Sequence, residues 1–242
     1  GSEGDRGLRL ASCVRTATAG ITGLRGRGAA FYASPSVHVL AIDQGTSATK
    51  ALVVAPDGGV LGAAEVALQS RAVGDGGVEQ DPEALWQSVV TAGREAVAAA
   101  GVPIGAVGFA NQGETVLAWD RADGRPLSTA LSWQDRRAES VCARLRARAP
   151  ALTALTGLPL DPYFAAPKMT WLRAHATRAG VVTTTDAWFL QRLTGAYVTD
   201  AATASRTLLL DLDRGTWSAD ACAAFEIDPT LLPAIVGCAE PV

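Results

Sequence analysis

Residues 37–50, V-H-V-L-A-I-D-Q-G-T-S-A-T-K, constrain this chain more than any other stretch. An apolar, β-rich run of the kind that is buried on both faces leads into Asp43. A glycine and four small residues follow, three of them hydroxylated, before Lys50 and a second apolar run at 51–55. Two strands joined by so short a Gly/Thr/Ser turn form a hairpin whose tip gathers backbone N–H groups and hydroxyls suited to an anion. Asp43 at its base suits a hydrated Mg²⁺, which takes one or two carboxylates and fills its shell with water and phosphate oxygens. The same residues also fit an ordinary hairpin with a polar tip, because turns favour them.

A chain of 242 residues, 48% hydrophobic, can build one large domain or two small ones around a sizeable core. A net charge of −3 argues against a general nucleic-acid surface, and no apolar run reaches the ~20 residues that span a membrane. Cys13, Cys142, Cys222 and Cys238 are far apart and form no C-x-x-C pair, so neither a zinc site nor a disulfide framework is expected. A reducing cytoplasm is the simplest home for such a chain. His38 and His175 have no catalytic or metal cluster around them in the sequence, and both read as structural.

Residues 1–36 differ from the rest. They are arginine-bearing, rich in small residues and without an acid after Asp5, which reads as a disordered or processed tail, with a transit peptide as the minor alternative. From Val37 onward the pattern is regular. Runs 51–55 and 60–68, separated by Pro56-Asp57-Gly58-Gly59, continue the first strand into an antiparallel meander. Asp81 as N-cap and Pro82 in the first turn open a helix with Leu85, Trp86, Val89, Val90 and Val97 on one stripe, ending near Gly101. A strand at 104–110, parallel to its neighbour by a right-handed crossover, runs into Asn111-Gln112-Gly113-Glu114-Thr115. Ligands of open α/β sheets bind at such carboxyl ends.

Downstream, 116–120 and 130–133 form a hairpin-like pair, and Gln134 to Arg137 starts a helical stretch lasting to about Gly157. A helix at 169–179 with Trp171 and Leu172 inward, a strand at 181–185 and a short helix at 186–193 ended by Gly195 follow. Residues 217–235 read as a helix and a D-P-T-L-L-P segment. No internal repeat and no domain boundary is visible between Val37 and Val242.

Six segments resemble the FGGY-type carbohydrate kinases, the family that contains glycerol kinase. D-Q-G-T-S-x-T-K is similar to its first phosphate-binding signature, and V-E-Q-D-P to the loop before its first long helix. N-Q-x-E-T with S-W-Q-D-R-R resembles the two segments that shape the polyol pocket of glycerol kinases. D-P-Y-F-x-x-x-K resembles the segment whose tyrosine lines that pocket, and T-D-A-A-T-A-S-R-T one that packs toward the cleft.

The resemblance implies an actin-like, ribonuclease-H-like α/β domain at 37–242, a mixed five-stranded sheet flanked by helices. It implies ATP and Mg²⁺, with Asp43 orienting the metal, Thr46 and Ser47 donating to phosphates and Lys50 offsetting their charge. Ala48 stands where a hydroxylated residue is common. Glu114, Trp133 and Tyr163 would hold a small polyol or sugar. Gly113 occupies the place of an arginine in glycerol kinases, which implies a different or broader acceptor preference. The base aspartate and the nucleotide-binding domain are expected beyond Val242, so the chain alone is expected to be inactive.

On the residues alone, Glu114 also fits a solvated turn, Trp133 the core, Tyr163 a helix cap, and Asp200, Ser205 and Arg206 a structural role. A non-catalytic sugar sensor and an actin-like ATPase are the competing functions. The Glu114, W-Q-D-R-R and D-P-Y-F groups favour a polyhydroxylated ligand over the second. Self-association is left open.

Overall fold

The computed structural model describes residues 37–242; the reading of 1–36 as a tail falls outside the described residues. Strands β1 (His38–Gln44), β2 (Ala48–Val54) and β3 (Val60–Ala67) form the expected antiparallel meander. Two short strands follow, β4 (Arg71–Val73) and β5 (Gly77–Gln80), then helix α1 (Pro82–Ala100) and strand β6 (Ile104–Asn111). The order β3-β2-β1-β6, with β6 parallel to β1, makes a mixed four-stranded sheet.

Alternation decides which face of that sheet is covered. Leu40, Ile42, Ala51 and Val53 are buried against Leu85, Val89, Ala92 and Ala96 of α1. Asp43, Lys50 and Leu52 on the other face are exposed. β1 is therefore buried on one face rather than both: Leu40, Ile42 and Gln44 are buried, Val39 and Ala41 half-buried and Asp43 exposed. The helix itself follows its signals: Asp81 accepts from Glu83 N at 3.0 Å, and Gly101 closes the far end at φ 64. Gly62 lets α1 approach closely, since a Cβ there would sit 2.3 Å from the Ala96 carbonyl oxygen.

The rest of the chain builds a second layer. It comprises β7 (Val116–Trp119), β8 (Ala130–Leu131), α2 (Glu139–Arg144), α3 (Ala149–Thr156), α4 (Ala165–His175), β9 (Val181–Thr184) and α5 (Thr185–Thr194). β4-β5-β8-β7-β9 form a separate antiparallel sheet. In place of one mixed five-stranded sheet, the described residues form a mixed sheet of four strands, an antiparallel sheet of five and two two-stranded pairs. β7 divides the two hydrophobic clusters: Val116 and Ala118 enter one, Leu117 and Trp119 the other.

Three boundaries differ from the sequence reading. Helix α2 starts at Glu139, not at 134–137, because Asp135 is fully buried and turns inward to accept from Val78 N at 2.9 Å. The helical stretch to Gly157 breaks before α3, where Pro150 sits in a new first turn. α4 begins at Ala165 rather than 169, with Pro167 in its first turn. Beyond α5, strand β10 (Val198–Asp200) leads into helix α6 (Ala201–Ser205), and residues Ala234–Val236 pair parallel with β10, a contact absent from the sequence reading.

Candidate active site

Because β1 and β6 run parallel, their carboxyl ends share one edge of the sheet. Asp43 lies opposite Ala110 and Gln44 opposite Asn111, so the hairpin tip and the Gln112-Gly113-Glu114 turn emerge side by side. Gly45 N donates to Ala48 O at 3.0 Å and closes the tip. Asp43, Ser47 and Lys50 are exposed there, and Lys50 lies directly across the ladder from Asp43. Lys50 Nζ stands 3.9 Å from Glu65 with 61% of its side chain exposed, a loose pair that leaves it able to swing to an anion.

Beneath the tip, uncharged side chains form one connected network. Trp133 Nε1 donates to Thr46 Oγ1 at 2.9 Å, and Thr46 Oγ1 donates to Gln112 Oε1 at 3.2 Å. Gln112 Oε1 also accepts from Thr115 Oγ1 at 2.9 Å, and Gln112 Nε2 donates to Gln80 Oε1 at 2.9 Å. Gln80 Nε2 returns to the tip by donating to Thr46 O at 2.9 Å. The Thr46 hydroxyl has a single proton, and Gln112 takes it. The Thr46 hydroxyl, expected from the sequence to donate to a phosphate, here ties the tip to Trp133 and Gln112.

Trp133 leads to the second cluster. Its ring meets Tyr163 edge to face at 5.5 Å, and Tyr163 meets Phe164 at 5.2 Å. Glu114 is buried, and its Oε1 accepts from Arg206 Nε at 2.7 Å. The Arg206 guanidinium lies 5.7 Å above Tyr163 and 5.0 Å above Phe164. Burial alone would lower its pKa, but the hydrogen bond and charge of Glu114, with a smaller contribution from Tyr163, together outweigh burial and hold it above its ordinary value. A Cβ at Gly113 would meet Arg206 Cγ at 3.7 Å, so the arginine stem runs beside the glycine. Glu114, Trp133, Tyr163 and Gly113 thus come together as the sequence suggested, on the edge that carries Asp43.

Three contributors, each inside a quoted motif, were given no site role in the sequence reading. Arg206 pairs with a residue 92 positions away, and Gln112 was quoted only as part of a motif. Lys168, four residues after Phe164, is fully buried and donates to the carbonyls of Pro162, Tyr163 and Phe164 at 2.9, 2.5 and 2.7 Å. Burial pushes its pKa down to about 7, partly offset by the charges of Glu114, Asp135 and Asp161. The loop bearing Tyr163 is held by this one ammonium and by Asp161, whose Oδ1 accepts from Tyr163 N at 2.8 Å. A run of like neighbours could not signal any of these; the only hint was a lysine in an otherwise apolar helix start.

A mixed sheet ending in a polar hairpin thus meets, at one edge, a group of aromatic rings and the partly exposed Glu114–Arg206 ion pair. The chain belongs to the FGGY family of carbohydrate kinases, whose N-terminal domain matches residues 38–242. A glycerol kinase of Methylibium petroleiphilum is 43% identical over 213 residues, covering 82% of this chain and 43% of that protein. Among solved structures, Plasmodium falciparum glycerol kinase with ADP superposes with a TM-score of 0.78 at 28% identity, over 83% of this chain and 43% of that one. Xylulose kinase from Rhodospirillum rubrum gives 0.77 at 25% identity, over 82% and 42%. The chain spans less than half the length of these relatives. Among the described residues, no helix is long and apolar enough to cross a membrane.

Proposed function

We propose that this chain is the acceptor-binding half of a cytoplasmic kinase that transfers the γ-phosphoryl group of ATP to a hydroxyl of a polyol or sugar, with a second domain supplying the nucleotide site and the base. The observation that carries this reading is the hydrogen-bonded path from the hairpin tip through Thr46 to Trp133, because it sets the phosphate-facing turn and the acceptor wall in one rigid register. In phosphoryl transfer the protein's work is alignment and charge neutralisation, so that register is the function.

Each side chain has a part in it. Glu114 accepts hydrogen bonds from acceptor hydroxyls, and Trp133 and Tyr163 present apolar walls to the carbon chain. The tip amides and Ser47 face phosphate oxygens, and Lys50 offsets their charge. Asp43, a single exposed carboxylate beside these donors, fits the sparse protein ligation that Mg²⁺ accepts. Bound there with ATP, Mg²⁺ would neutralise charge developing on the phosphates.

The test is ADP release by the two-domain protein with ATP, Mg²⁺ and glycerol, erythritol, ribitol or xylulose. Acceptor-dependent release is expected, and D43A is expected to lose most of it. Hydrolysis indifferent to every acceptor would refute the reading in favour of an actin-like ATPase; acceptor binding without turnover would refute it in favour of a sensor. The 242-residue chain on its own is expected to show no turnover.

A further inference from the structure

Gly113 contributes no side chain to the acceptor edge, yet a guanidinium stands there. Arg206 arrives from the turn after α6, its stem 3.7 Å from the position of a Gly113 Cβ. Nε is spent on Glu114 at 2.7 Å, and 39% of the side chain remains exposed. The guanidinium plane rests on Tyr163 and Phe164, which limits its rotation. An arginine carries five donors in a fixed fork, so the terminal amino groups remain to serve a ligand. The turn that delivers it is held firmly: two residues on, Leu208 is fully buried at φ 66, a left-handed conformation that costs a non-glycine residue energy and persists only where its surroundings enforce it.

Resting on the kinase reading above, we infer that Arg206 is a specificity-determining residue of the acceptor site, its terminal amino groups gripping a pair of adjacent hydroxyls on a polyol or sugar while its Nε–H holds the Glu114 carboxylate aimed at the same carbon chain. The arrangement suits a vicinal diol: a fork of donors and a carboxylate acceptor lie side by side, so each hydroxyl can accept from the arginine and donate to the glutamate. The ligand class this selects has hydroxyls on consecutive carbons.

The experiment uses the two-domain enzyme and compares kcat/KM for its best polyol with that for the analogue lacking one hydroxyl, in the wild type, R206M and R206K. R206M keeps the stem on the aromatic rings and removes the donors. It is expected to lower kcat/KM for the polyol about 10- to 100-fold, mostly through KM, and to shrink the preference over the deoxy analogue toward unity. R206K, with charge but no fork, should fall between the two, and millimolar guanidinium should partly rescue an R206A protein. A purely structural role would lower both substrates equally and leave the ratio untouched, and that result overturns the inference. Should R206M fail to fold, the R206K ratio decides alone: an unchanged preference overturns it, a reduced one supports it. Wild-type enzyme without transfer to any acceptor would instead overturn the kinase reading itself.

Discussion

Thr46→Val tests the register most directly. Valine has nearly the shape of threonine, so the hairpin tip keeps its form and only the hydroxyl is lost. Two hydrogen bonds go with it, from Trp133 Nε1 at 2.9 Å and to Gln112 Oε1 at 3.2 Å. Gln112 Oε1 keeps Thr115 as a donor, so the group left without a partner is the half-buried indole N–H. Orphaning one such donor costs about 1–2 kcal/mol. For about 200 ordered residues that corresponds to a melting temperature lower by roughly 3–6 °C.

A double-mutant cycle with W133F isolates the bond, because phenylalanine keeps a ring against Tyr163 and removes the indole N–H. A coupling of about 1 kcal/mol is expected, read by denaturant unfolding of the 242-residue chain. In the two-domain kinase the same substitution should raise KM for the acceptor and for ATP together, since both sides of the register loosen. Additivity of the two changes to within about 0.3 kcal/mol, with unaltered KM values, would refute the claim that Thr46 joins the two halves of the site.

Four further outcomes are expected. G113R in the two-domain kinase should narrow the acceptor range toward glycerol, since a Cβ there meets only ordinary contacts; unchanged relative rates for longer polyols would contradict this. K168M should destabilise the Tyr163 loop by about 2–4 kcal/mol, since three carbonyls lose a shared donor, and urea unfolding checks it. The lowered pKa of Lys168 sets a sign: between about 7 and the unfolded value near 10.5 the unfolded chain holds more protons, so wild-type stability rises with pH across that window relative to K168M. Asp186, which burial pushes up to about 6, does the reverse: native protein holds the extra proton, stability falls as pH rises from about 4 to 6, and D186N should flatten that slope.

The legible part of this molecule was the part written in local pattern. The hairpin, α1 with its Asp81 cap and Gly101 stop, and β6 running into the Gln112–Glu114 turn are each specified by neighbours within a few residues, and each formed where expected. Glu114, Trp133 and Tyr163 were singled out by motif, and the topology gathers them at one edge of the sheet. What stayed hidden depends on distant pairing. Asp135 was read as helical, but its ion pair with Arg137 at 2.6 Å and its bond to Val78 N pull it into the interior and delay α2. β7 reads as an ordinary apolar run, and nothing local shows that its two faces serve separate cores. The acids nearest Arg206 in sequence, Asp200 and Asp211, are not its partner, so the pairing with Glu114 across 92 residues was invisible.

The linkage under the hairpin is made of amides and hydroxyls, and that choice has a consequence for conditions of use. Gln44, Gln80 and Gln112 carry no charge to be screened and no proton to be lost over the range a cell encounters. Strong brine would screen the attraction of Lys50 for an anion while leaving the spacing between turn and aromatic wall untouched. Such a scaffold loses grip before it loses shape, and on returning to dilute buffer its geometry is already in place.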